Sequence, residues 1–132
     1  MKTLGKILFM IVVGLNFMAC SKKQNDNARI VGVWHVEGVV YKEKQVTDFN
    51  KSPYFIATET HFFFGDTETA RSGLNHCSYT YNGKDMIMYA KSEEGEKAWI
   101  IYVLQLNAKK LVFEYDRDGD GEMIVISLTR TK

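Results

Sequence analysis

Cysteine, proline and net charge are all scarce in this chain, and each scarcity excludes a class of protein. Two cysteines and one proline occur among 132 residues, too few for the disulfide frameworks that staple small exported domains. Seventeen basic side chains are balanced by sixteen acidic ones, which leaves no basic surplus for a nucleic acid backbone. No G-x-S-x-G elbow and no glycine-rich phosphate loop is present. Glu93, Glu94 and Glu96 fall in a turn where they are solvated, so the chain reads as a non-enzyme without a cofactor. His35, His61 and His76 lack zinc-type spacing, and His76 and Cys77, adjacent on a strand, point to opposite faces.

What is present is apolar and aromatic. Hydrophobic residues make up 45% of the chain and aromatics 13%, a globular composition at the length of one domain. The N-terminal run is a separate matter. Lys2 and Lys6 precede an uncharged stretch of 15 residues, Ile7 to Ser21, short of the roughly 20 that a spanning helix needs and typical of a signal peptide.

"FMAC" followed by the polar "SKKQNDNA" resembles the lipobox and tether of a bacterial lipoprotein. The resemblance implies cleavage before Cys20, a thioether-linked diacylglycerol on its sulfur and acylation of the new amine, hence a membrane partner. The alternative is an ordinary secretory signal, with Cys20 left as a free thiol. Residues 1–19 are then the signal peptide, 20–28 the lipidated tether and 29–132 the folded domain. Removing residues 1–19 takes away two lysines and no acid, leaving 15 basic and 16 acidic side chains and a formal charge of −1. In relatives, surface export goes with acidic residues after the lipidated cysteine. Ser21-Lys22-Lys23 instead points to the periplasmic face of the outer membrane, within the cell envelope.

From Ile30 onward the pattern is β. "RIVGVWHVEGVVY" is rich in valine and aromatics, and period two groups Trp34, Val36, Gly38 and Val40 on one face. Pro53 opens a run that ends at Gly65. In "CSYTYNGKDMIMYA" the Asn82-Gly83 pair predicts a two-residue hairpin turn, with Tyr79 and Tyr81 opposite Met86 and Met88. "KAWIIYVLQL", "LVFEY" and "EMIVISLTR" complete seven or eight strands. The expectation is an all-β, antiparallel, up-and-down barrel of about eight strands.

Gly32-Val33-Trp34 on the first strand, the successive hairpins, and Arg130 in the terminal "SLTR" resemble the lipocalin-like domains of small Bacteroidetes lipoproteins. In such barrels the first-strand tryptophan closes one end beneath an arginine of the last strand. The resemblance therefore implies a structural closure by Gly32, Trp34 and Arg130. Related haem-binding barrels carry a glycine two residues after the tryptophan; Val36 stands there in this chain.

"EYDRDGDGEM" raises a different chemistry. Asp116, Asp118 and Asp120 before Gly121 match the opening of a calcium loop, whose twelfth position should be a bidentate glutamate. That position is Ser127, and alternation after Gly121 predicts a strand rather than an exiting helix. The favoured reading is a glycine-assisted turn, with low-affinity calcium binding as the alternative and no other metal favoured.

An eight-stranded barrel is either filled by side chains or holds one small molecule. Alternation places Tyr79, Tyr81, Met86, Met88, Tyr102, Phe113 and Tyr115 inside as candidate ligand-binding residues, with Ile100, Leu104, Leu111, Ile124, Ile126 and Leu128. Phe62, Phe63 and Phe64 cannot be assigned to faces. The functional expectation is a membrane-anchored carrier of a small apolar or amphipathic ligand. The rival is a protein-interaction module with a solid interior, meeting an unknown protein partner through outward Val39, Tyr41, Val112 and Val125.

Overall fold

A computed structural model describes residues 26–131 apart from 48 and 96. The signal segment and Cys20 lie outside the described residues. A single 3-10 turn, Asn27–Arg29, precedes the strands β1 (Gly32–Tyr41), β2 (Lys44–Gln45), β3 (Tyr54–Ala57), β4 (His61–Gly65), β5 (Leu74–Asn82), β6 (Ile87–Ser92), β7 (Ala98–Leu106), β8 (Lys110–Tyr115) and β9 (Ile124–Arg130). All but β2 form a closed, antiparallel, up-and-down barrel of eight strands. Closure comes from β9 pairing back on β1, from Ile124 opposite Tyr41 to Arg130 opposite Trp34. The short β2 is an extra strand on the far end of β1.

Trp34, Phe55, Met88, Leu111, Phe113, Ile124, Ile126 and Leu128 fill the interior. On β8 and β9 the alternation is clean, because apolar inward positions are flanked by half-exposed ones. Two strands depart from the expected faces. In β1 the pairing with β9 slips between Ser127 and Leu128, whose partners are Gly38 and Val36, so Glu37 is skipped. Such a bulge reverses side-chain parity beyond it. Val39, expected outside, is therefore buried, Val40 is half-exposed, and Tyr41 packs against the core.

In β7 both parities are apolar, so pattern alone cannot choose a face. Register chooses it. Ile101 lies opposite Met88, and Tyr102 opposite Ile87. Directly opposed residues share a face, so the buried Met88 brings Ile101 and Val103 inside and leaves Ile100, Tyr102 and Leu104 exposed.

The Asn82-Gly83 turn also differs. Asn82 pairs with Ile87 and Tyr81 with Met88, which leaves a four-residue connection, and Tyr79 faces Ala90. The Gly83 amide donates to the Asp26 carboxylate at 2.6 Å, while the Asn82 side chain accepts from the Lys84 and Asp85 amides. The positive φ falls on Met86 instead, which sits in the turn at the surface. A two-residue turn with both φ values positive does occur, at Lys42-Glu43 between β1 and β2.

The two ends of the barrel are built differently. At the end where β1 begins, residues 26–31 cross the opening. Asn27 is buried there, with its amide nitrogen donating to the carbonyls of Glu59 (2.6 Å) and Tyr79 (2.9 Å) and its amide oxygen accepting from the Tyr81 N–H (2.7 Å). Trp34 lies against this plug with its indole N–H donating to the Ile30 carbonyl at 2.9 Å. At the other end the loop after β2 folds inward, and Phe49 packs on Phe64 with ring centroids 4.4 Å apart. Beside it a Cβ on Gly73 would collide with the Phe64 carbonyl, so the β4–β5 loop lies close over Phe63.

Candidate functional site: a small cavity at the barrel mouth

The strand order brings the starts of β5 and β7 and the end of β8 to the barrel end away from Trp34. There the interior side chains leave an apolar cavity of about 80 Å³. Phe55, Phe62, Phe64, Cys77, Met88, Ile101 and Phe113 form its wall, and Trp99, Tyr115, Asn75 and Arg117 its rim. The rings are in mutual contact. Phe55 lies 4.9 Å from Phe62, 5.2 Å from Phe64 and 5.7 Å from Phe113. Trp99 meets Tyr115 edge-on at 6.5 Å.

Met88, Phe113 and Tyr115 are the candidate ligand-binding residues that line this space. Tyr79 and Tyr81 are inside but belong to the plugged end. The Tyr79 hydroxyl donates to the Thr58 carbonyl at 2.6 Å, and burial, then Glu59, push its ionisation far above the usual range. Met86 and Tyr102 are outside the barrel and take no part in this lining. Sequence reasoning missed Phe55, Cys77, Trp99 and Ile101. Cys77 was within reach, since it shares parity with Tyr79 and Tyr81; Ile101 and Trp99 follow only from the β6–β7 register.

The Tyr81 hydroxyl is buried with no hydrogen-bond partner among the described residues. A buried polar group left unpaired costs about 1–3 kcal/mol. Tyr81→Phe is therefore expected to raise the unfolding free energy by about 1 kcal/mol, seen as a higher urea midpoint. A lower midpoint would mean that the hydroxyl is bonded in the full chain.

Cys77 is almost fully buried, and burial, with a smaller contribution from Glu93, raises its thiol from an ordinary 9.0 to about 11. The thiolate is the nucleophile, so this sulfur is inert near neutrality. Iodoacetamide at pH 8 should leave it intact in the folded chain and modify it in urea. Because the folded value is the higher one, its share of stability is complete below pH 9.0 and is lost as pH rises toward 11. Cys77→Ala should flatten that part of the stability profile; an unchanged alkaline slope would contradict the assignment.

The aspartate loop sits beside the rim and spends its carboxylates locally. Asp116 accepts from the amides of Gly119 (2.8 Å), Asp120 (3.1 Å) and Gly121 (2.9 Å), with Gly119 and Gly121 at positive φ. Asp120 accepts from the Glu122 amide and from the Tyr41 hydroxyl, both at 2.9 Å, and these two bonds hold its carboxyl below the usual range. Asp118 pairs with Arg117 at 3.3 Å, and the Arg117 guanidinium lies 5.2 Å from the centre of the Tyr41 ring. The arrangement is a turn tied to β1. Among the described residues no group of three or more His, Cys, Asp or Glu side chains is placed to hold a metal ion.

At the opposite end Gly32 has φ 143°, and the Arg130 guanidinium lies 4.1 Å over the Trp34 ring. Arg130 also donates to the carbonyls of Val31 (2.7 Å), Ala108 (2.9 Å) and Arg29 (3.3 Å). Every polar atom of this fork is directed at backbone, which makes it a clasp between the two ends of the folded chain. His35 pairs with Glu37 at 2.9 Å and His61 with Glu93 at 3.2 Å on the outer surface, and the His76 ring lies 5.5 Å from that of His61. No family model, curated protein or solved structure matches the chain.

Proposed function

We propose that the chain is a non-enzymatic lipoprotein of the bacterial envelope whose lipocalin-like barrel takes the apolar end of a small amphipathic molecule at its mouth. The single observation that carries the reading is the apolar cavity between Met88, Phe113 and the rim rings Trp99 and Tyr115. Arg117 and Asn75 beside it provide polar contacts for a head group that remains in water, in the manner of ligand sites with a few polar groups on an apolar wall.

Size restricts the ligand. A cavity of about 80 Å³ is smaller than the roughly 150 Å³ that admits benzene and far below the roughly 300–1,000 Å³ of drug-sized sites. Only a few carbons enter unless Met88, the adaptable thioether in the wall, and the half-buried Trp99 give way. The bacterial lipoprotein signature at Cys20 supports a membrane anchor, and the tether Ser21-Lys22-Lys23 supports the periplasmic face of the outer membrane.

Trp99 provides the test, because the chain has two tryptophans and the other is sealed at the plugged end. In Trp34→Phe, titration with octanoate should change the Trp99 emission saturably. A linear drift, equal to that of free tryptophan, would remove the carrier reading and leave the interior as packed core.

A further inference from the structure

The outer face of β6 and β7 carries a continuous apolar stripe. Tyr89 lies opposite Ile100, and Ile87 opposite Tyr102, with Leu104 and Met86 extending the stripe toward the plugged end. Tyr89 and Ile100 are each 50% exposed, Leu104 52% and Tyr102 41%. Contiguous exposed side chains of this kind mark a contact surface. None of them faces the interior, so the stripe is independent of the mouth cavity.

Two further observations say what covers it. The first is where the chain enters the fold. The Asp26 amide donates to the Tyr81 carbonyl and its carboxylate accepts from Gly83, which fixes the entry point at the end of β5, beside the β5–β6 turn that holds Met86. Asp26 lies six residue steps after Cys20, and six steps span at most about 22 Å. An acyl chain on Cys20 therefore keeps the bilayer within that distance of the plugged end, where the stripe begins.

The second is charge. The plugged end presents Arg29, Lys84, Lys109, Lys110 and Arg130 against Asp26, Glu59 and Asp85; on the stripe's own face Lys91 lies beyond Tyr89 and Glu114 lies opposite Tyr102. In the mouth loops acids outnumber bases among the described residues, with Glu93, Glu94, Asp116, Asp118 and Asp120 set against Lys42, Lys97 and Arg117. Basic side chains around an apolar surface attract anionic headgroups, and tyrosine is suited to the boundary between hydrocarbon and water.

We infer that the β6–β7 outer face lies on the anionic lipid surface to which the tether holds the chain, with Tyr102 and Leu104 seated among the headgroups. The mouth then opens along the bilayer surface rather than into it. This rests on the lipid-anchor reading, so the test must separate the two.

The full chain, carrying p-benzoylphenylalanine in place of Ile100, is irradiated in intact cells, purified and weighed. The same change at Glu37, on the far side of the barrel, is the control. The expected result is a phospholipid adduct at position 100, enriched in anionic lipid over the bulk envelope, and none at 37. A crosslink from 100 to a protein or to a second copy of the chain, equal adducts at both positions, or no lipid adduct at 100 would overturn the inference. The intact mass reports the anchor separately: a chain without acyl groups sinks the anchor reading, and the adduct at 100 then decides whether the stripe meets lipid on its own.

Discussion

Trp34→Ala should lower the unfolding free energy by about 3–5 kcal/mol, the range for truncating a large buried aromatic. Three losses coincide at this position. The ring is fully buried, so its removal leaves a cavity in a core with no disulfide to resist it. The Ile30 carbonyl loses the indole N–H that bonds it at 2.9 Å. The Arg130 guanidinium loses the ring 4.1 Å beneath it, a contact worth about 0.5–2 kcal/mol. Trp34→Phe keeps most of the burial and should cost clearly less. Arg130→Lys keeps the charge but cannot reproduce the planar fork that reaches Val31, Ala108 and Arg29. Urea unfolding followed by circular dichroism measures all three. A Trp34→Ala loss below about 1 kcal/mol would contradict the role assigned to the ring.

Asn27→Leu should cost about 2–4 kcal/mol, although leucine is similar in size and more apolar. One side chain meets three backbone groups, the carbonyls of Glu59 and Tyr79 and the amide of Tyr81. Each buried group left unpaired costs about 1–3 kcal/mol, with partial relief as the plug relaxes. The effect should be local as well as global. Hydrogen exchange of the Tyr81 amide should quicken far more than that of Leu128, at the centre of β9. Equal protection in wild type and variant would show that the plug is held by other contacts.

The closed, antiparallel, eight-stranded barrel is legible in the sequence because apolar runs and turn residues alternate along its whole length. Faces are legible only where one parity is polar. "LVFEY" and "IVISL" satisfy that condition, and Leu111, Phe113, Ile124, Ile126 and Leu128 are inside. "WIIYVL" does not, and its face is set by Met88 on the neighbouring strand. Long-range contacts defeat local rules in three further places. A bulge skips Glu37 and inverts the end of β1. Asp26, more than fifty residues away, takes the Gly83 amide and widens the strongest turn signal in the chain. Phe49, from a loop with no strand pattern, reaches Phe64 at the mouth. The candidate site suffered most from this, because a mouth is assembled from strand ends and loops whose neighbours lie far apart in sequence. Met88, Phe113 and Tyr115 were accessible to alternation, whereas Trp99 required the register, and Asn75 and Arg117 come from the irregular start of β5 and the loop after β8.

Native mass spectrometry of the full chain, purified in mild detergent from its own envelope and compared with the same sample after denaturation, tests the carrier reading most directly. The account predicts a small molecule retained in the native spectrum and released on denaturation, and its retention should fall when Trp99 is replaced by alanine. A chain with no bound molecule in either spectrum would contradict it and leave the barrel interior as packed core.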